Sequence, residues 1–267
     1  MNEPWHLGRL AALDFETSGV KPHEAFIVTA HLSRVGGGMK TEPTNWVLSP
    51  GDLEIPAEAA AIHGYDTARA RTEGVDHWVG LDAIAQAVAQ ALRMGIPLVG
   101  HNIGGYDLRV LDAECRRWDV QPVLDRFDSP GYFPVLDTMV LDKHVDPRRK
   151  RVSPTQGAHC LRTAAETFGL GWDESQAHGA EYDAMASARL AYKIGAIAHT
   201  PHDKRPDWVQ RLWMQRFDDL AGLSLGDLHS RQVVWAKTQA ADLQEHFRKS
   251  DPNAVVDGAW PVAEVTS

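Results

Sequence analysis

Cysteine is almost missing from this chain. Two in 267 residues, Cys115 and Cys160, match no metal-ligand spacing and do not read as a disulfide framework, which suits a reducing cytoplasm. Long apolar runs are also missing: nothing approaches the ~18 consecutive apolar residues of a membrane-spanning helix, so no membrane partner is expected. The amino-terminal run from Met1 to His6 lacks a basic region followed by an apolar stretch, and does not read as a secretory signal. Positive charge is in deficit, with 27 Lys and Arg against 36 Asp and Glu, a net charge of −9 and a pI near 5.8. That balance argues against a protein that coats nucleic acid with its whole surface. It leaves room for an enzyme that holds a few nucleotides in one cleft, because a carboxylate cluster for divalent cations is acidic until the cation arrives. No internal repeat and no long low-complexity segment is present. What remains is an ordinary composition, 43% hydrophobic and 24% charged with a mean hydropathy of −0.32. It is enough for one good-sized domain with an extension, or for two small domains.

Along the chain, Arg9 to Glu16 reads as a core strand ending in acidic residues, and Phe26 to Val35 as a second strand. Gly36, Gly37 and Gly38 mark a hairpin-like turn, and Asn45 to Leu48 a third strand. Ile84, Val88 and Leu92 recur at a spacing of four in an Ala-rich stretch, which predicts a helix over 81–94. Pro97 to Gly100 is a short buried strand, Asp107 to Trp118 a helix, and Pro134 to Asp137 a fifth strand. Ser153 before Pro154 resembles an N-cap with proline at the first helical position, so a helix is expected from there or a few residues later to near Gly169. Gly179 to Ala198 is a long helix. The order predicts an α/β fold, a mixed sheet flanked by helices. After Thr200 a polar connector leads to an aromatic helix (Trp208, Leu212, Trp213, Phe217) and a longer one over 224–249. The chain therefore divides into 1–200 and a helical extension, 201–267. The tail beyond Asp251 offers Trp260 to the body of the protein.

Three segments carry candidate chemistry. Asp14 and Glu16, two apart on a strand, point to one face and can bind or bridge hard cations through oxygen. An Asp-x-Glu pair is also a common solvated strand end. Here the apolar approach from Leu10 to Leu13 makes it a buried strand delivering charge at its carboxyl end, where open α/β sheets place their sites. Between Val99 and Leu108 a strand feeds a glycine-rich turn that opens a helix with Asp107 in its first turn, a position the helix dipole favours for a carboxylate and one that ordinary helices also use. His178 stands five residues before Asp183 at the front of a helix. An imidazole can take a proton near neutral pH, although one His among 13 means little alone.

Taken in order, the three segments resemble the DnaQ-like exonucleases, the DEDD superfamily, in the branch with a His in its third motif. The first motif stands as Asp14, Glu16, Thr17 and Gly19, the second as Asn102 followed by Tyr106, Asp107 and Leu108, the third as His178 and Asp183. Ile62, His63 and Gly64 resemble the family's Ile/Val-His-Gly loop, and Asp137 with Thr138 its later Asp-Thr pair. The resemblance, similar to the epsilon proofreading subunit of bacterial DNA polymerase III, runs from about Arg9 to Ala198. One departure stands out: three residues, Ile103, Gly104 and Gly105, separate Asn102 from Tyr106 where the family has two. The extra one reads as a glycine absorbed in the turn.

The resemblance implies a ribonuclease H-like, mixed five-stranded sheet and a two-metal 3′→5′ exonuclease that releases nucleoside monophosphates from single-stranded DNA ends in replication proofreading or repair. Asp14, Glu16, Asp107 and Asp183 would be the ligands of two Mg²⁺ ions, with Mn²⁺ able to substitute, and His178 the general base. Asp14 would bridge both ions, Glu16 and Asp183 would complete the site for the attacking water, and Asp107 would hold the second ion mostly through water. Thr17, Ile62, His63, Asn102 and Tyr106 would contact the substrate, with the loop from Ala59 to His63 either wedging against the last bases or being a plain hydrophobic loop. The basic run from Lys143 to Arg151 either grips phosphates or is a solvated surface. The aromatic residues of the extension either pack on the nuclease body or offer a surface to a partner such as a polymerase subunit. Two further readings remain open: a 3′→5′ exoribonuclease on the same fold, since the 2′-OH is read by pocket shape, and an inactive binding module.

Overall fold

The structure, a computed structural model, describes residues 4–127 and 131–262; residues 1–3 of the amino-terminal run and 263–267 of the tail lie outside them. Five strands form one mixed sheet in the order β3-β2-β1-β4-β5, with β1 at Arg9–Thr17, β2 at Ile27–Gly36, β3 at Glu42–Val47, β4 at Leu98–Gly100 and β5 at Val135–Asp137. The first three form an antiparallel meander, and β4 and β5 run parallel to β1. The meander closes through Gly36, Gly37 and Gly38, all at positive φ, which glycine adopts without steric cost. The parallel strands require crossovers, supplied by the helices between them. This is the mixed α/β sheet that the order of elements predicts, in the ribonuclease H-like arrangement that the resemblance implies.

Strand β1 is buried on both faces, and its alternation assigns the helices. Leu13 and Phe15 pack with α3 (His77–Arg93) and α4 (Asp107–Arg117). Leu10 and Ala12 pack with α5 (Thr138–Val145), α6 (Leu161–Thr167) and α7 (Ala180–Ala198). By parity Asp14 and Glu16 belong to the second face, the one α7 covers. At its carboxyl end β1 slips register against β2 between Glu16 and Thr17. Pairing weakens where the chemistry begins, a common place for a bulge. The paired end is fixed from the other face by Glu114 of α4, which is fully buried, accepts from Ile27 N at 2.7 Å and meets His77 Nε2 at 2.8 Å.

Several expectations need correction. The helix near 153–169 begins at Leu161 with Cys160 at its N-cap. Ser153 spends its hydroxyl on the amides of Thr155 and Gln156, closing a turn rather than opening a helix. The aromatic helix is broken into α8 (Asp207–Gln210) and a 3₁₀ turn at Arg216–Leu220. Gln215 stops it, its amide donating to the carbonyls of Val209, Gln210 and Leu212. The stretch from Ala59 to His63 is not a loop but the body of α1 (Ala57–His63), followed by α2 (Thr67–Glu73). In the basic run, Arg149 pairs with the buried Asp142 at 2.6 Å and with Asp146 at 2.9 Å, so it braces its own loop.

The extension continues the fold. Helix α9 (Leu225–Arg248), N-capped by Ser224, lies along β5. The Gln232 amide accepts from Asp137 N at 2.8 Å and donates to Val135 O at 3.0 Å, and His229 Nδ1 accepts from Val135 N at 3.2 Å. Side chains of a helix thus occupy backbone groups that an open sheet edge would leave exposed to another strand. Trp208, Phe217 and Trp235 pack into the core, whereas Trp213 is 85% exposed. No helix among the described residues is long and apolar enough to cross a membrane.

Candidate active site

Asp14 and Glu16 leave β1 on the face covered by α7, and Asp183 arrives from the first turn of α7. One carboxylate oxygen from each of the three lies within 4.8 Å of the others. Asp107 joins from α4. It is 4% exposed, and its Oδ1 accepts from Phe15 N at 3.1 Å, so it is fastened to the backbone between Asp14 and Glu16. Four acids from three elements thereby meet at the carboxyl end of the central strand.

Their electrostatics follow from that crowding. Burial raises the Asp14 carboxyl well above the ordinary range, and the charges of Asp107, Glu16 and Asp183 raise it further. Glu16 is pushed up to about 8 by burial and by Asp183 and Asp107. Asp107 is also pushed to about 8 by burial, against the pull of backbone amides including that of Phe15. Asp183 is raised to about 6 by burial, offset in part by His178, and its buried Oδ1 has no hydrogen-bond partner among the described residues. Recessed carboxylates that repel one another, one of them with an acceptor oxygen unused, form a donor set able to hold a cation. The all-oxygen donor set suits a hard divalent ion such as Mg²⁺ or Mn²⁺.

His178 is exposed at the lip, held at a positive φ of 61° just before α7. A groove of about 740 Å³ runs past it, lined by Glu16, His63, His178, Tyr182 and Arg189. His63 is partly buried, which lowers its pKa, a hydrogen bond to the Thr17 backbone partly opposing. Ile62, beside it on α1, is 59% exposed. Thr17 and Tyr106 face each other, oxygen to oxygen at 2.5 Å, and both bond the Gly19 carbonyl. Their hydroxyls hold the loop that follows β1. Asn102 stands apart from the groove: it adopts a φ of 67° and lines a second cavity of about 500 Å³ with Lys143, His159 and Trp260.

Sequence reasoning missed two groups. Tyr182 and Arg189, seven residues apart and so on one face of α7, lie on the groove and give no signal in the sequence beyond that shared phase. Asp137, noted only as half of an Asp-Thr pair, is a hub: it caps α5 through Met139 N and Val140 N and also accepts from Asn102 N and Gly104 N.

A ribonuclease H-like sheet with acidic residues gathered at the end of its central strand defines the class. The chain belongs to the exonuclease family RNase_T, which residues 11–191 match. Its fold is similar to that of E. coli exonuclease I in complex with a dT13 oligonucleotide, at 18% identity and a TM-score of 0.55, over 70% of this chain and 41% of that one. It is similar as well to a moderately thermophilic exonuclease I from Methylocaldum szegediense, at 18% identity and a TM-score of 0.54, over 70% of this chain and 40% of that one. The chain thus spans about two fifths of the length of these structures.

Proposed function

We propose that the chain is a metal-dependent 3′→5′ exonuclease of the His-containing DEDD branch, releasing nucleoside monophosphates from single-stranded DNA in proofreading or repair. The observation that carries this reading is the convergence of Asp14, Glu16 and Asp183 within 4.8 Å beneath an open groove. Family membership and the oligonucleotide complexes of the similar exonuclease I structures support it.

Asp14, Glu16, Asp107 and Asp183 would hold two Mg²⁺ or Mn²⁺ ions. Such a pair supplies charge stabilisation for the phosphate and for the attacking and leaving oxygens, and lowers the pKa of water at the site. The protein's own groups do the rest. Asp14, near the carboxyl end of the strand, would be the carboxylate shared between the two ions. Asp107 is prevented from swinging by its bond to the Phe15 amide. His178, exposed and beside Asp183, accepts the proton of the attacking water and can pass it to solvent. Thr17 and Tyr106, by fixing the loop at Gly19, shape the seat of the terminal 3′-hydroxyl. Ile62 and His63 on α1 offer an apolar side and a ring to the last base. Such stacking tolerates any base, so little sequence preference is expected.

The test is a gel assay of 5′-labelled single-stranded DNA and RNA of matched sequence, each with Mg²⁺, Mn²⁺ or EDTA. A cation-dependent ladder on DNA supports the proposal. A ladder on RNA alone moves the assignment to an exoribonuclease, and no cleavage of either leaves an inactive binding module.

A further inference from the structure

The turn that delivers Asp107 is gripped from the far end of the chain. Asn102 N and Gly104 N donate to the two oxygens of Asp137 at 2.9 and 3.2 Å. Oδ2 of Asp137 also accepts from the Trp260 indole N–H at 3.2 Å. Asp137 is 1% exposed, so protein donors alone satisfy it. Two residues beyond Asp107, Arg109 reaches the tail as well, with Nη1 on Asp257 Oδ2 at 2.5 Å, Nη2 on the Ala259 carbonyl, and Nε on Gly104 O at 3.4 Å. A methyl group at Gly104 would lie 2.2 Å from Trp260 Nε1. No side chain fits there while the indole is in place. The residue by which this turn exceeds the family's spacing therefore falls in a three-residue stretch, Ile103 to Gly105, whose middle glycine is the seat of Trp260.

We infer that residues 256–260 are a strap whose Trp260 and Asp257 are positioning residues for the site, acting through Asp137 and Arg109 to set the turn that carries Asp107. The inference rests on the reading of the acidic cluster as a cation site. A tail that merely covered the core would need an apolar ring at 260 and nothing more. Here the ring's one polar atom is spent on the carboxylate that also holds the Asp107 turn, and the guanidinium that holds the tail sits on Asp107's own helix. Groups behind metal ligands orient them, and losing one costs about 10–100-fold in cation affinity.

The experiment is calorimetric titration of Mn²⁺ into the full chain, wild type against Trp260→Phe, Asp257→Asn and Trp260→Ala, alongside urea unfolding in EDTA. Trp260→Phe keeps an aromatic ring, though a smaller one, and removes the N–H; Asp257→Asn keeps the shape and removes the charge. Both are expected to weaken Mn²⁺ binding about tenfold and to lower kcat on a DNA oligonucleotide while leaving its KM unchanged. Should Trp260→Ala fail to fold, the two conservative variants carry the test. Wild-type Mn²⁺ affinity in both of them, with or without a loss of stability, overturns the strap and leaves the cation site standing. Absence of Mn²⁺ binding by the wild type overturns the site reading and the strap with it.

Discussion

Glu16 and Asp107 are carboxylates that the fold holds at pKa values of about 8, and Asp183 at about 6. Unfolded, each would titrate near the ordinary 4 to 4.5. Between those limits the native state binds more protons than the unfolded one, so without cations stability falls as pH rises from about 4.5 to 8. We predict that the melting temperature in EDTA drops across this window, that Mg²⁺ or Mn²⁺ removes most of the drop, and that Glu16→Gln flattens it; thermal scans at stepped pH measure all three. His178→Ala is expected to slow turnover by about 10²–10⁴-fold, the usual worth of a proton acceptor, while calorimetry still finds Mn²⁺ bound. At this scale each acid was ambiguous alone, and the gathering of the four was legible only from the order of three local segments and the family they resemble. Asp137 was not, since its role depends on donors from Asn102, Gly104 and Trp260, which only the fold brings together.

Among the elements, α9 is attached to the sheet by side chains in place of a sixth strand. Gln232→Ala would leave Asp137 N and Val135 O, both bonded to it in the native state, without partners. A cost of about 1–3 kcal/mol is expected, read as a lower urea midpoint at an unchanged m-value. The long elements, β1, β2, α3, α7 and α9, were legible from periodicity and caps. Helices α1 and α2, seven residues each, were not, because two turns carry too little repeat to separate from a loop. Trp208 and Phe217 pointed to one continuous helix, but both reach the core from separate short pieces once Gln215 has capped the carbonyls between them.

For the molecule as a whole, residues 201–262 complete the core. Phe217, Leu220 and Leu228 are fully buried in the cluster formed by α5, α6 and α7. A chain ended at Thr200 would expose that cluster and the outer edge of β5, and is expected to lose cooperative unfolding by circular dichroism. Trp213→Ala, at a position 85% exposed, should stay within ~0.5 kcal/mol of wild type by the same method. The extension's aromatic residues were readable as either packing or partner-binding, and only tertiary contacts separate Trp213 from the others. The net charge of −9 adds that substrate affinity should come from the cation site and groove rather than from a basic surface. The most direct measurement uses one single-stranded DNA oligonucleotide labelled at both ends, incubated with Mg²⁺ and wild-type protein or Asp14→Ala. The account predicts that the 3′ label leaves first, as a mononucleotide, while the 5′ label shortens stepwise, and that EDTA or Asp14→Ala stops both. Release of the 5′ label first, internal cuts, or full activity in Asp14→Ala would contradict it.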